Sequence, residues 1–378
     1  MTFVLTEDQE MLRDTALSFA RDELPVSHLR GLRDGSANGA DPAAREKLAE
    51  LGFFGVLVPE EFGGSDFGMV GMGQIMEALG RTLASVDVLQ TGVVAASLFT
   101  LAGSEAQKEN WLAQIASGNI SATLALDEGP HHAPTQVATE AERDGQGFTL
   151  NGAKRYVPTG HIADVFIVAA RTFGEPGDAH GITLFLVPKT ASGVSVQTLN
   201  TVDSHGAAHL TLDGVHVDEQ HVIGDVDKAT DTLAPILDRA RIAMAAETLG
   251  SAQAAFDMTL DYLNTRRQFG QLIGSFQALQ HRAAKMFTEL EMARSCVAAA
   301  LSAVDANANT VPELASLAKA KTADLVHLIS NETVQLHGGI GMTDDHDSGF
   351  FLKRARVQEA LYGSASFHRD RYARLQDF

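Results

Sequence analysis

Two changes of hydrophobic periodicity constrain the fold of this chain more than any other feature. To about residue 120 the apolar residues recur at helical spacing; from 121 to 227 they form short β-rich runs separated by Gly, Pro, Asp and Asn. Long amphipathic segments that are low in proline follow from residue 228. The pattern predicts an α+β chain with an N-terminal helical domain at 1–120, a central small antiparallel β-barrel or sandwich at 121–227, and a C-terminal four-helix bundle at 228–378.

Local signals predict where the individual elements begin and end. Thr6, followed three residues later by Gln9, fits a capping box, and Pro25 ends that first helix. Further helices are predicted at 43–51, 69–81, 87–102, 104–115, 232–266, 276–304 and 311–337. The predicted strands are 122–126, 148–150, 165–170, 182–187, 194–198, 209–212 and 215–217.

Composition excludes several classes of protein. The chain has 378 residues with 29 Lys plus Arg and 48 Asp plus Glu, so its net charge is −19. This charge argues against broad electrostatic binding to nucleic acid or to an anionic membrane. The single cysteine, Cys296, cannot form a disulfide within the chain and is expected to be a small buried hydrophobe. Because no basic leader and no apolar run of ~18 residues is present, we expect a cytoplasmic protein.

Three strings of residues carry a resemblance to a known family. One runs from Gly52 to Gly64, the second is Arg-Arg-Gln-Phe-Gly-Gln-Leu-Ile from Arg266 to Ile273, and the third is Gln-Leu-His-Gly-Gly-Ile-Gly from Gln335 to Gly341. In this order the chain resembles the acyl-CoA dehydrogenase family along essentially its whole length. The resemblance implies the fold above, FAD as the cofactor, an acyl-CoA substrate, a role in acyl-CoA metabolism, and an electron-transfer flavoprotein as acceptor.

The resemblance also implies which residues hold the cofactor. Arg266 presents a rigid fork of donors that suits a pyrophosphate, and glycines without Cβ atoms let backbone amides approach an adenosine closely. The alternatives are a solvated Arg-Arg pair and a Gly-Gly that only ends a helix. In the family these groups reach the FAD of a neighbouring subunit, which implies a homo-oligomer (dimer or tetramer) or a heteromer with a paralogous chain. The expected contacts are Arg266, Gln268, Phe269, Gln335, Gly338 and Gly339.

The strings that contact the flavin ring in the family are altered here. Asp127-Glu128-Gly129 stands where the family has Thr-Glu-Pro, which exchanges a hydroxyl for a charge. Tyr156-Val157-Pro158 stands for Trp-Ile-Thr, so an aromatic face remains while the hydroxyl and the backbone donor are lost. Asp127 and Tyr156 are therefore expected to contact the flavin ring, but to bind it more weakly than the residues that the family usually has. The neighbouring His131-His132 pair makes a poor chelate, so no metal site is expected.

The base that the family uses is missing from both of its usual positions. Removal of the α-proton beside a thioester, while the β-hydrogen leaves to flavin N5, needs a carboxylate in an apolar site. Tyr362 occupies the usual Glu position, and Ala240 occupies the second one. A phenol with a pKa of about 10 is a poor base. Glu247, two helical turns after Ala240 among apolar neighbours, is the leading substitute, with a structural ion pair as its alternative; Glu359 and Asp127 are the others.

Asp238 and Arg241 match a pair that lies beside the thioester and pantetheine in the family, although an ion pair at i, i+3 is an equal alternative. Three interpretations of the function stay open. The chain is an active dehydrogenase with a relocated base, a base-lacking subunit that pairs with a catalytic paralogue, or a flavin oxidase or monooxygenase on the same fold.

Overall fold

The protein is described by a computed structural model that covers residues 4–35, 39–145 and 147–378. Its contacts divide the chain into two compact units, each interrupted in sequence. The three-domain division at 1–120, 121–227 and 228–378 remains a prediction. Unit 1 comprises Met1–Gly31, Met69–Ala84 and Arg241–Phe378, and unit 2 comprises Leu32–Gly68 and Ser85–Ala240.

The helices of the first third follow the sequence signals closely. The capping box is confirmed, since the Gln9 N–H donates to the Thr6 hydroxyl and the Thr6 N–H donates to the Gln9 side chain. After Pro25 a second helix begins that the pattern does not predict, and residues 88–95 are π-helical. The α-helices are α1 (Glu7–Glu23), α2 (Val26–Asp34), α3 (Pro42–Glu50), α4 (Gly68–Arg81), α5 (Ala96–Ala102) and α6 (Glu105–Ala116).

An eight-stranded sheet occupies the middle of the chain, in unit 2. Its order is β6-β7-β3-β2-β4-β5-β8, with β1 beside β4. Most neighbours are antiparallel as predicted, but β4 pairs in parallel with both β1 and β2. The predicted strands at 209–212 and 215–217 are one strand with a register shift opposite Gly152. The strands are β1 (Ala122–Ala125), β2 (Glu140–Asp144), β3 (Gly147–Pro158), β4 (Val165–Arg171), β5 (Ile182–Pro188), β6 (Val194–Leu199), β7 (Ala207–Asp218) and β8 (Val222–Ile223).

The core of this sheet is formed by apolar side chains of its central strands. Every residue of β4 is buried, and Phe148 packs edge-on against Phe185 with ring centroids 5.1 Å apart. Full burial of one such side chain stabilises the fold by about 1.5–3 kcal/mol. The sheet is therefore a rigid support for the loops that follow its strands.

The C-terminal region is helical, as predicted, and contains five α-helices. Within it α9 packs against α8, α10 and α11. A short hairpin, β9 (Arg267–Gln268) and β10 (Gln271–Leu272), joins α7 to α8. The helices are α7 (Ala229–Thr265), α8 (Gln277–Asp305), α9 (Val311–His337), α10 (Ser348–Ala360) and α11 (Ala365–Leu375).

Within unit 1, α4 and the C-terminal part of α7 approach each other through two glycines. A Cβ at Gly80 would lie 2.0 Å from the Glu247 carbonyl oxygen, and one at Gly250 would lie 1.9 Å from the Glu77 carbonyl oxygen. Real Cβ atoms do not come so close, so only glycine permits this crossing. The crossing fixes the backbone of α7 where Glu247 projects.

Two findings concern the expectations from composition. Cys296 in α8 is half-buried rather than fully buried, and burial raises the pKa of its thiol, which makes it a weak nucleophile. In the described ranges, no helix has both the length and the apolar character needed to cross a membrane.

Candidate active site

In unit 1, the two strings expected to bind FAD lie at neighbouring helix ends. The hydroxyls of Thr259 on α7 and Thr333 on α9 are 3.0 Å apart. One turn further along, the rings of Tyr262 and His337 are in contact at a tilt of 33°, with centroids 4.5 Å apart. These contacts place the end of α7, which leads to Arg266, beside the end of α9.

The hairpin after α7 presents its tip to the outside of unit 1. Phe269 and Gly270 both have positive φ, 53° and 80°, as a two-residue turn between antiparallel strands requires. Phe269 is 91% exposed, so it buries almost no apolar area within its own chain. Arg266 is exposed, and its guanidinium makes no hydrogen bond or ion pair with the described residues. An exposed aromatic ring and an available guanidinium suit a cofactor held together with another subunit.

The Gly-Gly pair after α9 leaves open space beside the backbone. Gly338 has φ 66°, and a Cβ at Gly338 or Gly339 would meet nothing within 4 Å. His337 donates from Nδ1 to the Thr333 carbonyl at 2.7 Å, while its buried Nε2 has no hydrogen-bond partner in the described chain. Gln335 is exposed on the same turn. An open backbone, an unsatisfied acceptor and the guanidinium of Arg266 fit the adenosine and pyrophosphate of FAD.

In unit 2, the two strings expected to contact the flavin ring are adjacent. The Arg155 N–H on β3 donates to the Asp127 carbonyl at 2.8 Å. Tyr156 lies at a bulge of β3 with φ 49°, and the residue is 37% exposed. The Pro158 carbonyl accepts a hydrogen bond of 2.7 Å from the buried Thr123 hydroxyl. The backbone of Asp127 therefore lies beside the residue that precedes Tyr156 in β3.

The charge of Asp127 belongs to a hydrogen-bonded cluster. Its carboxylate accepts from His132 Nδ1 at 2.9 Å and from the Ala133 N–H at 3.0 Å. Burial raises the pKa of Asp127, but the hydrogen bond and charge of His132 outweigh it and hold the pKa below its ordinary value. Glu128 beside it accepts from the fully buried Lys154 at 2.5 Å, and burial lowers the pKa of Lys154 to about 8.

Asp127 therefore stays ionised, with its imidazole partner almost completely buried. A carboxylate that is already engaged in this way is a weak base, which argues against Asp127 as the proton acceptor. Within the ranges that the structure describes, no group of three or more His, Cys, Asp or Glu residues is placed to hold a metal ion.

Glu247 is buried and engaged by three donors. Its Oε1 accepts from Arg354 Nε at 3.0 Å, from Arg354 Nη2 at 2.6 Å and from Gln358 Nε2 at 3.0 Å. Ser251 donates to the Gln358 side-chain oxygen at 2.9 Å and orients that amide. These contacts favour the structural ion pair over the role of base. Glu359, the weaker candidate, bonds Arg356 near the surface.

Neither of the two usual base positions holds a carboxylate. Ala240 is fully buried, and Tyr362 is 6% exposed with φ 60°, which is unusual for a residue with a side chain. Asp238 and Arg241 are also buried, and Arg241 Nε donates to the Tyr362 carbonyl at 3.4 Å. The expected substrate pair is therefore buried, and Arg241 contacts the loop of the missing base.

Two further buried residues at this loop, Lys319 and His368, were not predicted from the sequence. Both have no exposed surface, and both bond backbone carbonyls of residues 358–363. A signal exists for Lys319, because it lies on an apolar helical face with Ala315, Thr322 and Ala323. A charged residue in such a stripe indicates a buried, hydrogen-bonded role.

Models of one known protein family match most of the chain. The family models for the acyl-CoA dehydrogenase N-terminal, middle and C-terminal domains match residues 6–119, 127–215 and 232–375. The chain belongs to the acyl-CoA dehydrogenase family. It is accordingly an oxidoreductase of the class that acts on CH–CH bonds, and its cofactor is FAD.

Relatives of this acyl-CoA dehydrogenase family member differ in their named roles. It is 30% identical to the probable acyl-CoA dehydrogenase YngJ of Bacillus subtilis, over 98% of each chain. It is also 30% identical to CarC, a subunit of the caffeyl-CoA reductase-Etf complex of Acetobacterium woodii, over 95% of this chain and 96% of CarC. The ChsE4-ChsE5 complex of Mycobacterium tuberculosis matches with a TM-score of 0.90 and 28% identity, over 100% of this chain and 99% of that one.

Proposed function

We propose that this chain is a subunit of an FAD-dependent enzyme that interconverts an acyl-CoA and its α,β-unsaturated thioester, with the base supplied by a second, paralogous chain. The observation that carries the proposal is the state of three positions. Tyr362 and Ala240 stand at the two base positions, and the leading substitute, Glu247, is engaged by Arg354 and Gln358. A heteromer explains a chain that keeps the cofactor motifs without the base.

In this proposal the chain binds the cofactor and orients the thioester, but it does not abstract the α-proton. Arg266, Gln268, Phe269, Gln335, Gly338 and Gly339 hold the pyrophosphate and adenosine, and Asp127 with Tyr156 contact the flavin ring. FAD, when bound, accepts the two electrons removed from the acyl group. Asp238 and Arg241 position the thioester and pantetheine. Because Phe269 is 91% exposed in its own chain, the cofactor site is completed by a neighbouring subunit.

The relatives support both the partner chain and the electron acceptor. ChsE4-ChsE5 is a complex named for two different chains, and CarC is named as part of a complex with Etf. We propose an electron-transfer flavoprotein as the acceptor here as well. CarC is named as a subunit of a caffeyl-CoA reductase-Etf complex, so saturation of an enoyl-CoA is the physiological direction to test beside dehydrogenation.

A second candidate is a self-contained dehydrogenase in which Glu247 is the base. Its support is the 8% exposure of Glu247 among apolar neighbours, the kind of site that a base at a carbon acid requires. The oxidase or monooxygenase alternative has no comparable support in the described residues. The variant Glu247→Gln distinguishes the heteromer from the self-contained dehydrogenase, because it removes the candidate base while hydrogen bonds to Arg354 remain possible.

The composition of the natural assembly tests the proposal. A tagged chain is purified from its native host, and native mass spectrometry gives its subunits and FAD content. We expect a second family member with Glu at one of the two base positions, and α-proton exchange of acyl-CoA only by the mixed assembly. An assembly of this chain alone that catalyses the exchange would refute the proposal.

A further inference from the structure

Three buried side chains of unit 1 converge on the short loop between α10 and α11. Lys319 Nζ donates to the Gly363 carbonyl at 3.1 Å and to the Gln358 carbonyl at 2.8 Å. His368 Nε2 donates to the Tyr362 carbonyl at 3.0 Å, and Arg241 Nε donates to the same oxygen at 3.4 Å. The contacts come from three different helices, so the loop is held from three sides.

The loop backbone is strained, and the donors hold it in place. Tyr362 has φ 60°, a left-handed conformation that is unfavourable for any residue other than glycine. Gly363 follows with φ 111°, and a Cβ there would lie 2.6 Å from Phe367 and 2.8 Å from the His368 ring. Such conformations persist only where the surroundings determine them, and they cluster at functional sites.

Burial of the Lys319 ammonium costs free energy of desolvation. An ordinary connection between two helices does not require a buried charge. Both hydrogen bonds that the structure assigns to its ammonium end on backbone carbonyls. Burial, followed by the charge of Arg241, lowers the pKa of Lys319 to about 7, while Glu359 raises it slightly. Burial likewise lowers the pKa of His368 to about 2, so its ring is neutral and its Nε2 carries the proton that it donates.

We propose that Lys319, His368 and Arg241 form a clamp that positions residue 362 through its backbone, whatever side chain that residue carries. The inference rests on the proposed function, in which Tyr362 occupies one of the two base positions and Asp238 and Arg241 position the thioester. Because the hydrogen bonds from Lys319, His368 and Arg241 described above end on backbone carbonyl oxygens, replacement of the Tyr362 side chain leaves these acceptors in place. A carboxylate introduced by Tyr362→Glu therefore takes up the geometry of a base, and this one change makes the chain competent in proton abstraction.

The step is a reversible proton transfer that needs no oxidant. The Cα–H bond of the acyl-CoA breaks, an O–H bond forms on the introduced carboxylate, and the electron pair is delocalised into the thioester carbonyl. Return of a deuteron from D₂O labels Cα. Exchange of this hydrogen, measured by mass spectrometry of the recovered thioester, reports the base independently of flavin reduction.

The first test compares wild type, Tyr362→Glu and the matched control Tyr362→Gln, each purified with FAD. We expect exchange by Tyr362→Glu at least ~100-fold above both others, the lower range for a positioned general base. If wild type and Tyr362→Glu are both inert while folded and yellow, the clamp inference fails and the proposed function stands. If the wild-type chain exchanges the α-hydrogen without a paralogous subunit, the proposed function fails.

The second test addresses the clamp itself by variants in the Tyr362→Glu background. His368→Gln keeps a donor and is expected to retain exchange within about threefold, whereas His368→Leu and Lys319→Met lower the rate at saturating thioester by about tenfold or more. The thioester concentration that gives half of the maximal exchange rate is expected to stay unchanged in these variants. Lys321→Met is the control, because Lys321 lies two residues along α9 and pairs with Glu289. Equal rates for His368→Gln and His368→Leu would overturn the clamp.

A third measurement needs no introduced base. Amide hydrogen exchange of the peptide that spans residues 360–365 is followed in otherwise wild-type protein. Lys319→Met is expected to speed exchange of this peptide, and Lys321→Met to leave it unchanged. The same protection in all three proteins would show that the loop does not depend on Lys319.

Discussion

Replacement of Arg354 by Met is expected to destabilise the protein by about 3–5 kcal/mol, the cost of breaking a buried ion pair from one side. Arg354 and Glu247 have side chains that are 8% and 10% exposed, and two of the three hydrogen bonds to Glu247 Oε1 come from this guanidinium. Met fills a similar volume without charge. The loss therefore comes mainly from a carboxylate left buried with Gln358 as its remaining donor.

The free energy of unfolding from urea titration of the holoprotein measures this loss. Arg356→Met is the matched control on the same helix, because its ion pair with Glu359 is more exposed and is expected to contribute only about 0–1 kcal/mol. In the double variant Glu247→Leu/Arg354→Met most of the lost stability should return, since no buried charge remains. A loss below ~1 kcal/mol for Arg354→Met, equal to that of the control, would refute the structural role of the pair and revive Glu247 as a base.

Three further predictions concern packing, the cofactor and pH. Gly250→Ala is expected to cost about 1–3 kcal/mol in urea titration, because its Cβ would meet the Glu77 carbonyl, whereas Gly31→Ala, with nothing within 4 Å, should change stability by less than ~1 kcal/mol. Phe269→Ala should weaken FAD binding to the apoprotein about tenfold in fluorescence titration without lowering its melting temperature, and an unchanged affinity would exclude the contact. Lys319 has a folded pKa of about 7, below its unfolded value of ~10.4, so the unfolded chain binds the extra proton between these values and stability rises with pH from ~7 to ~10. The melting temperature of wild type relative to Lys319→Met should therefore increase across this window, and a constant difference would contradict the lowered pKa.

Long amphipathic patterns predicted the long helices well, whereas short or highly charged helices and strands were not predicted. The predicted helix at 311–337 coincides with α9, and 276–304 differs from α8 by one residue at each end. The strand Glu140–Asp144 was missed because four of its five residues are charged and it lies beside stronger strands. The helices α10 and α11 carry charged residues on most of their faces, so their periodicity is weak, although tertiary contacts with α9 stabilise them.

The candidate site shows the same limit. The cofactor strings were recognisable because they are contiguous in sequence. The partners of Glu247 were not, since Arg354 lies 107 residues away and a single sequence does not reveal which side chains meet. The same holds for Lys319 and Gly363, which are 44 residues apart. The chemistry of position 362 could be read from the sequence, but the clamp that holds it required the fold.

The most direct test of the central claim is the exchange of the acyl-CoA α-proton in D₂O by the wild-type chain purified alone with FAD. The panel should include short straight, branched, aryl and polycyclic acyl groups, and free FAD serves as the blank. The account predicts no exchange above the blank for any thioester until a base-carrying paralogue is added. Exchange by the chain alone, abolished by Glu247→Gln, would contradict it and place the base within this chain.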